Sequence, residues 1–377
     1  MTKMQLSNNA PIILPSTEEN IEIATKMLQG GGIIAFPTET VYGLGAAAHD
    51  DDAVQKIYKA KGRPSNNPLI IHVDSLAMAQ RYGVFNERSI ALAEAFFPAP
   101  LTLVVPVIKG AVAKCALAGG DTVAIRCPAH PVARALITAA GFGIAAPSAN
   151  ISGQISPTNA HHVASEFQHL PLVILDGGAC EIGLESTVLD CTGDEFRILR
   201  HGAITEADLD CSPLAGELVR RAASEGTRRA AQAKPWGESN HNITPHASAA
   251  GKALASAALP QGESKAQHQK LVLKSPGQLA SHYAPKSRLR LNVLSPNAKE
   301  LFLGFGDYFC LDNPANLNLS ESGDLTEAAH NLYNYLRILD EIAQNNSTIS
   351  AISCAPIPNH GIGIAINDRL TRASFGK

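Results

Sequence analysis

The hydrophobic and polar positions change period several times along the first 210 residues. From Ser16 to Leu28, Ile21, Ala24 and Leu28 fall on one helical face behind a capping box of Ser16 and Glu19. Gly30, Gly31 and Gly32 end that helix, and the apolar run Ile33 to Phe36 reads as a buried strand. Asp50 to Ala60 predicts a second helix, with Asp50 to Asp52 at its positive end and Val54, Ile57 and Tyr58 turned inward. Further strands are predicted at 69–73, 101–107, 122–127, 144–147, 172–176, 186–190 and 196–199, and helices over 75–82, 87–96, 131–140 and 158–168. This alternation predicts an α/β domain over residues 1–210. The late succession of strands predicts a twisted mixed sheet rather than a purely parallel one.

The pattern then fades. Between Ala222 and Gln269 the only large apolar residues are Trp236, Ile243, Leu254 and Leu259, in a background of Ala, Ser, Gly and Gln. Such a stretch buries too little surface to offset its ordering entropy, so residues 211–287 are predicted to be a flexible linker. Turn-forming residues return at Ser275-Pro276-Gly277 and at His282-Tyr283-Ala284-Pro285. Residues 288–377 predict a smaller C-terminal α/β unit, Rossmann-like in class. Its strands are 288–294 and 350–355, an amphipathic helix over 326–343 carries Ala329, Leu332, Leu336 and Leu339, and a last helix spans 361–373.

Length and composition agree with two domains: 377 residues, 45% apolar and 17% charged. A net charge of −3 gives the molecule no overall attraction to nucleic acid or anionic membrane. The N-terminus lacks a signal-peptide pattern, the bulky apolar runs are too short to span a bilayer, and the seven cysteines show no C-x-x-C spacing. A cytoplasmic protein with no membrane role is the expectation.

The common nucleotide signatures are missing: there is no G-x-x-x-x-G-K-[ST], and Gly304-Phe305-Gly306 lacks the rest of a dinucleotide fingerprint. Adjacent His161 and His162 read as surface residues rather than metal ligands, and no metal site is predicted. Polar residues instead gather where apolar strands end: Pro37-Thr38-Glu39-Thr40, Lys61-Gly62-Arg63-Pro64 with Asn67, His72, Thr122 to Arg126, Pro147-Ser148-Ala149-Asn150, Glu185-Ser186-Thr187, and Arg200. Ligands of open α/β sheets collect at such ends. Each motif also has a plain structural reading. Lys61 and Arg63 complement a helix dipole, and Ser148 and Asn150 are turn formers. As a set, basic forks with hydroxyls and amides suit a polyphosphate and an amino acid.

The runs FPTETVYGLG, KGRP with NPL, PSAN and ESTV, in that order, resemble the YrdC-like threonylcarbamoyl-AMP synthases. The likeness is dense over residues 10–205 and resumes at SPGQLASHYAP and GIGIAINDRLTRA, as in the two-domain form of that family. The resemblance implies a YrdC-like first domain that joins L-threonine, bicarbonate and ATP into threonylcarbamoyl-AMP with release of pyrophosphate, for threonylcarbamoyladenosine in tRNA. It places the four hallmark catalytic residues on Lys61, Arg63, Ser148 and Asn150. ATP contacts fall on Lys61, Arg63, Asn67, Thr122, Asn150, Thr158 and Arg200, and threonine contacts on Thr40, His72, Arg126, Ser148 and Ser186. Mg²⁺ is expected to be held by phosphates and water, since the motifs offer no carboxylate cluster. Tyr283 is expected to gate the cleft, and the product to pass to a tRNA threonylcarbamoyl transferase complex. The acceptor of the amine proton is open, with His72 a weak candidate. Two other classes stay open: a non-catalytic RNA-binding module, disfavoured by the charge and by only 5% aromatic residues, and a carbamoyl transferase of the maturation-factor type, which would bring paired C-x-x-C segments.

Overall fold

The computed structural model describes residues 10–193, 195–211, 282–308 and 313–375. Most of the predicted linker, including Ser275 to Gly277, lies outside the described residues.

The first domain's strands are β1 Ile12–Pro15, β2 Ile34–Phe36, β3 Gly43–Ala47, β4 Ile70–His72, β5 Leu101–Pro106, β6 Thr122–Arg126, β7 Ile144–Ala145, β8 Val173–Asp176, β9 Thr187–Asp190 and β10 Arg197–Arg200. They form one mixed sheet in the order β1-β8-β2-β3-β7-β4-β6-β5-β9-β10. Around it lie α1 Glu18–Gln29, α2 Asp51–Lys61, α3 Leu76–Ala79, α4 Glu87–Phe96, α5 Pro131–Ala140, α6 Ala160–Glu166 and α7 Glu206–Cys211. Leu28, Ile34, Val54, Ile57, Ile71, Leu136 and Ile174 are among the side chains fully buried between these layers. Burial of each such side chain contributes on the order of 1.5–3 kcal/mol.

The predicted capping box is corrected by one residue. Thr17 caps α1, accepting from the Asn20 N–H at 3.3 Å, while Ser16 Oγ donates to the Asp176 carbonyl at 2.5 Å and so ties the turn to β8. Several elements are shorter than predicted: α3 ends at Ala79, α6 covers only Ala160–Glu166, β7 only Ile144–Ala145, and the strand predicted at 288–294 only Leu289–Arg290. Strand β3, GLGAA, gives no sequence signal because it has one large side chain. It is paired on both sides, to β2 and β7.

The second domain contains β11 Leu289–Arg290, β12 Glu300–Gly304, β13 Leu317–Asn318, β14 Ala351–Cys354, α8 Leu325–Asn345 and α9 Gly363–Ser374. Its sheet is parallel throughout in the order β11-β14-β12-β13, in keeping with the Rossmann-like expectation. Helix α8 is capped by Asp324, whose carboxylate accepts from the Thr326 and Glu327 N–H groups at 2.6 and 2.9 Å. Among the described residues, no helix is long and apolar enough to cross a membrane.

The domains meet closely at Gly183. With φ +77° it occupies the left-handed region, and a Cβ there would stand 2.6 Å from the His330 carbonyl oxygen of α8. Arg337 of α8 completes the contact, pairing with Glu166 at 2.9 Å and donating to the Ile155 carbonyl.

Candidate active site

The sheet register brings the predicted residues to one edge. His72 pairs with Arg126 across parallel β4 and β6, Thr102 faces Arg126 across β5 and β6, and β9 enters beside Leu101 with Ser186 immediately before it. The loop after β2 and the loop after β7 are joined by backbone bonds, Ala149 N–H to the Tyr42 carbonyl at 2.8 Å and Tyr42 N–H to the Pro157 carbonyl at 2.9 Å. Between them lies a cavity. Of the predicted site residues, Thr40, Arg63, His72, Arg126, Ser148, Ser186, Arg200 and Tyr283 line it.

Lys61, Asn67, Thr122, Asn150 and Thr158 do not line it. Lys61 is 1% exposed and donates its ammonium to the Ser148 carbonyl at 2.6 Å and to the Asn150 carbonyl. Burial, then the nearby Arg63, pushes its pKa well down. Asn150 donates to the carbonyls of Ile151 and Gln154, both at 2.8 Å, and accepts from Ser148 Oγ at 2.5 Å. Both residues therefore build the Pro147 to Asn150 loop, and the turn-forming reading of Asn150 is part of its role. Asn67 is fully buried with its side-chain amide unbonded among the described residues, an unusual cost beside the cavity wall. Thr158 is buried against His162, and Thr122 is half-buried at the start of β6. His162 is itself half-buried rather than fully on the surface: burial lowers its pKa to about 4, and its backbone N–H is capped by Asn159.

Gly62 explains how neighbouring cations serve different places. It closes α2 in the left-handed conformation, φ +59°, so Lys61 stays on the helix while Arg63 turns into the cavity wall. Arg63 donates Nε to the Asn67 carbonyl at 3.1 Å and Nη2 to the Pro68 carbonyl at 2.8 Å. Burial lowers its pKa to about 10, where it remains a cation at neutral pH. Arg200 donates to the Ser186 carbonyl at 3.0 and 3.1 Å and to Ser186 Oγ at 3.1 Å, and Ser186 Oγ lies 2.7 Å from Thr102 Oγ1.

The opposite wall is an ion pair that the sequence did not single out. Arg126 Nη2 lies 2.6 Å from Glu39 Oε1, and Arg126 Nη1 donates to Thr40 Oγ1 at 2.7 Å. With Nη2 against Glu39 and Nη1 on Thr40, Arg126 Nε has no partner among the described residues, and a ligand carboxylate would have to share or displace the Glu39 and Thr40 contacts. Burial works to raise the Glu39 pKa, but the Arg126 charge and hydrogen bonds bring it below the ordinary value. His72 is neutral, its pKa lowered to about 3 by burial and then by Arg126, and its Nδ1 has no partner among the described residues.

His282 and Tyr283 also line the cavity. Their rings lie 4.1 Å apart, Tyr283 stacks on Tyr333 of α8 at 5.8 Å, and the Arg369 guanidinium of α9 sits 5.3 Å from the Tyr283 ring centre. The segment is pinned by the Ala284 N–H on the Gly153 carbonyl at 2.8 Å and by the His282 N–H on the Arg372 carbonyl at 3.4 Å. Beneath it, the buried Glu185 carboxylate accepts from Ser156 at 2.6 Å, Tyr333 at 2.9 Å and Arg369 at 2.9 Å.

Known proteins resemble the chain over nearly its whole length. Residues 26–202 match the family model described as telomere recombination, which spans Sua5, YciO and YrdC proteins, and residues 247–374 match the threonylcarbamoyl-AMP synthase C-terminal domain. The threonylcarbamoyl-AMP synthase of Bacillus subtilis is 35% identical, covering 97% of this chain and 95% of the relative. The chain belongs to the threonylcarbamoyl-AMP synthase family. A member from Pyrococcus abyssi is 36% identical over 95% of this chain and 94% of its own. The crystal structure of P. abyssi Sua5 complexed with L-threonine superposes with a TM-score of 0.74 at 32% identity, covering 97% of both chains. The two-domain α/β architecture is thus that of the family.

Proposed function

We propose that this chain makes L-threonylcarbamoyl-AMP from L-threonine, bicarbonate or CO₂, and ATP, releasing pyrophosphate, and so supplies threonylcarbamoyladenosine formation in tRNA. The observation that carries the reading is the meeting, in one covered cavity, of an amino-acid wall and a phosphate wall. Arg126 with Thr40 offers a fork for the threonine carboxylate, beside Ser148 and His72. Arg63 and Arg200 supply two cations for the phosphates on the side of Ser186. All three arginines are buried, with exposures of 4–8%, which suits a small enclosed ligand better than a polynucleotide backbone.

The threonine amine takes up CO₂ to give a carbamate and a proton. A carbamate oxygen then attacks the α-phosphorus; the new P–O bond forms as the α–β anhydride bond breaks and pyrophosphate leaves with its electron pair. The chain contributes positioning and charge neutralisation. His72, held near pKa 3, is a poor acceptor for the amine proton, which leaves that task to bicarbonate-derived species. Mg²⁺ enters as part of the nucleotide substrate. Glu185 of the cavity wall is taken by Arg369 and the nearby Glu39 by Arg126, so phosphate oxygens and water are the ligands that remain for it.

Tyr283 acts as the gate that keeps water from the mixed anhydride. Removing residues 270–377 would also strip Tyr333 and Arg369 from Glu185, so Tyr283→Ala in the full chain is the cleaner variant. It should raise AMP release relative to product; unchanged coupling removes the gate. The product passes to a cytoplasmic tRNA threonylcarbamoyl transferase complex.

The deciding experiment is pyrophosphate release with MgATP, bicarbonate and L-threonine, each omitted in turn, with the nucleotide product weighed by mass spectrometry. Release that needs both threonine and bicarbonate and yields threonylcarbamoyl-AMP is the expected result. Folded protein that shows no threonine-dependent release overturns the reading.

A further inference from the structure

Glu185 has a choice of cationic partners. In its own domain Arg200 is bonded to the next residue, Ser186, through both carbonyl and hydroxyl. Both Arg200 and Arg369 hold the Glu185 carboxyl down; burial acts to raise it, but Arg369 first and Arg200 second outweigh that, leaving it near 2. The ion pair that forms is with Arg369, Nε to Oε2 at 2.9 Å. Among the described residues, Arg200 has no carboxylate in ion-pair contact.

Arg369 is placed to enforce this. It is 1% exposed, fixed by Asp368 at 2.8 Å, and its Nη2 donates to the His201 carbonyl at 2.9 Å. One guanidinium therefore holds Glu185 and His201, the residues adjoining Ser186 and Arg200. Tyr333 adds a second donor to the same Glu185 oxygen.

We propose that Arg369 is a positioning residue for adenylylation: by drawing Glu185 into a pair with the second domain and fixing the His201 carbonyl, it leaves the Arg200 guanidinium without a direct ion-pair contact and so open to a nucleotide phosphate. The inference rests on the reading of the cavity as a nucleotide site. Without Arg369, the buried Glu185 carboxylate has Arg200 as its remaining counter-ion, and that pairing cancels the charge the phosphate needs. The second domain then tunes the first domain's ATP site through the partner choice of one carboxylate.

The test compares full-length Arg369→Ala, Glu185→Gln, Arg200→Ala and the Glu185→Gln/Arg369→Ala double variant by steady-state kinetics, with thermal melts to establish folding. Arg369→Ala should raise KM for ATP by about tenfold or more, with KM for threonine changed far less. The double variant should recover most of the ATP effect, because the competing carboxylate is gone. If the double variant is as impaired as Arg369→Ala, Arg369 only docks the domains and the proposal fails. If Arg200→Ala raises KM for ATP while Arg369→Ala does not, the proposal fails and the nucleotide reading stands. If Arg200→Ala leaves KM for ATP unchanged, the nucleotide assignment of Arg200 itself fails, and the proposal with it.

Discussion

Lys61 points its ammonium away from the cavity and into the loop that forms the cavity wall, donating to the Ser148 carbonyl at 2.6 Å and to the Asn150 carbonyl. At this position, expected to be catalytic, the side chain holds the Pro147 to Asn150 loop in shape. Lys61→Met should leave two buried carbonyls without that donor, at about 1–3 kcal/mol each. Denaturant unfolding and kinetics on the same variant check this: stability and activity should fall together. A variant of wild-type stability with lost activity would return Lys61 to direct work on phosphate.

Arg126→Ala should weaken threonine binding more than ATP binding. It removes the fork and leaves Glu39 buried without its counter-ion, a loss on the order of 2–5 kcal/mol. Calorimetric titration of threonine and of ATP separates the two ligands. Equal loss for both would place Arg126 in the general scaffold.

Gly183→Ala should loosen the domain interface. The added Cβ meets the His330 carbonyl at 2.6 Å in a conformation with φ +77°, so α8 must withdraw. The strain alone is about 1–2 kcal/mol. Lower Tm with faster proteolysis between the domains is the expected outcome, and an unchanged melt would mean that the interface yields without cost.

Acid should destabilise the fold well before bulk carboxylate titration. His72 and His282 are each held near pKa 3, both chiefly by burial, against an ordinary value of 6.5. Unfolding therefore takes up protons between these limits, and stability falls as pH drops from about 6.5 toward 3, by up to about 1.4 kcal/mol per pH unit for each group. Glu185 acts in the same direction over a lower window, its stabilisation complete above 4.5 and lost toward about 2. Denaturant titrations at about pH 7.5, 6 and 5 measure the slope, which His282→Gln should reduce by one group's share. A flat profile would show the histidines to be solvated.

The strand-end motifs were legible because apolar strands that stop at Thr, Ser or Arg put those residues at one sheet edge. Glu39 and Glu185 stood in those motifs, yet their roles were hidden, since their partners Arg126 and Arg369 lie far along the chain and leave no local spacing. One signal for the second domain's part was present. Arg369 falls on the buried face of α9 with Ala365, Ile366 and Ala373, and Tyr333 on that of α8 with Ala329, Leu332 and Leu336. A charge on an apolar stripe implies a buried partner. Strand β3 was missed because small residues carry almost no β preference, and only its two neighbours define it.

The backbone bonds on either side of Tyr283 have an evolutionary corollary. With His282 moored to Arg372 and Ala284 moored to Gly153, the roof of the cavity takes its position from the two domains and not from the chain that leads into it. Insertions and deletions in the connection between the domains, after residue 211 and before residue 282, are then close to neutral for catalysis, whereas a single residue added between Tyr283 and Leu289 would shift the ring off its stack. Length variation among descendants of this chain should accumulate on one side of that tyrosine and stop abruptly at it.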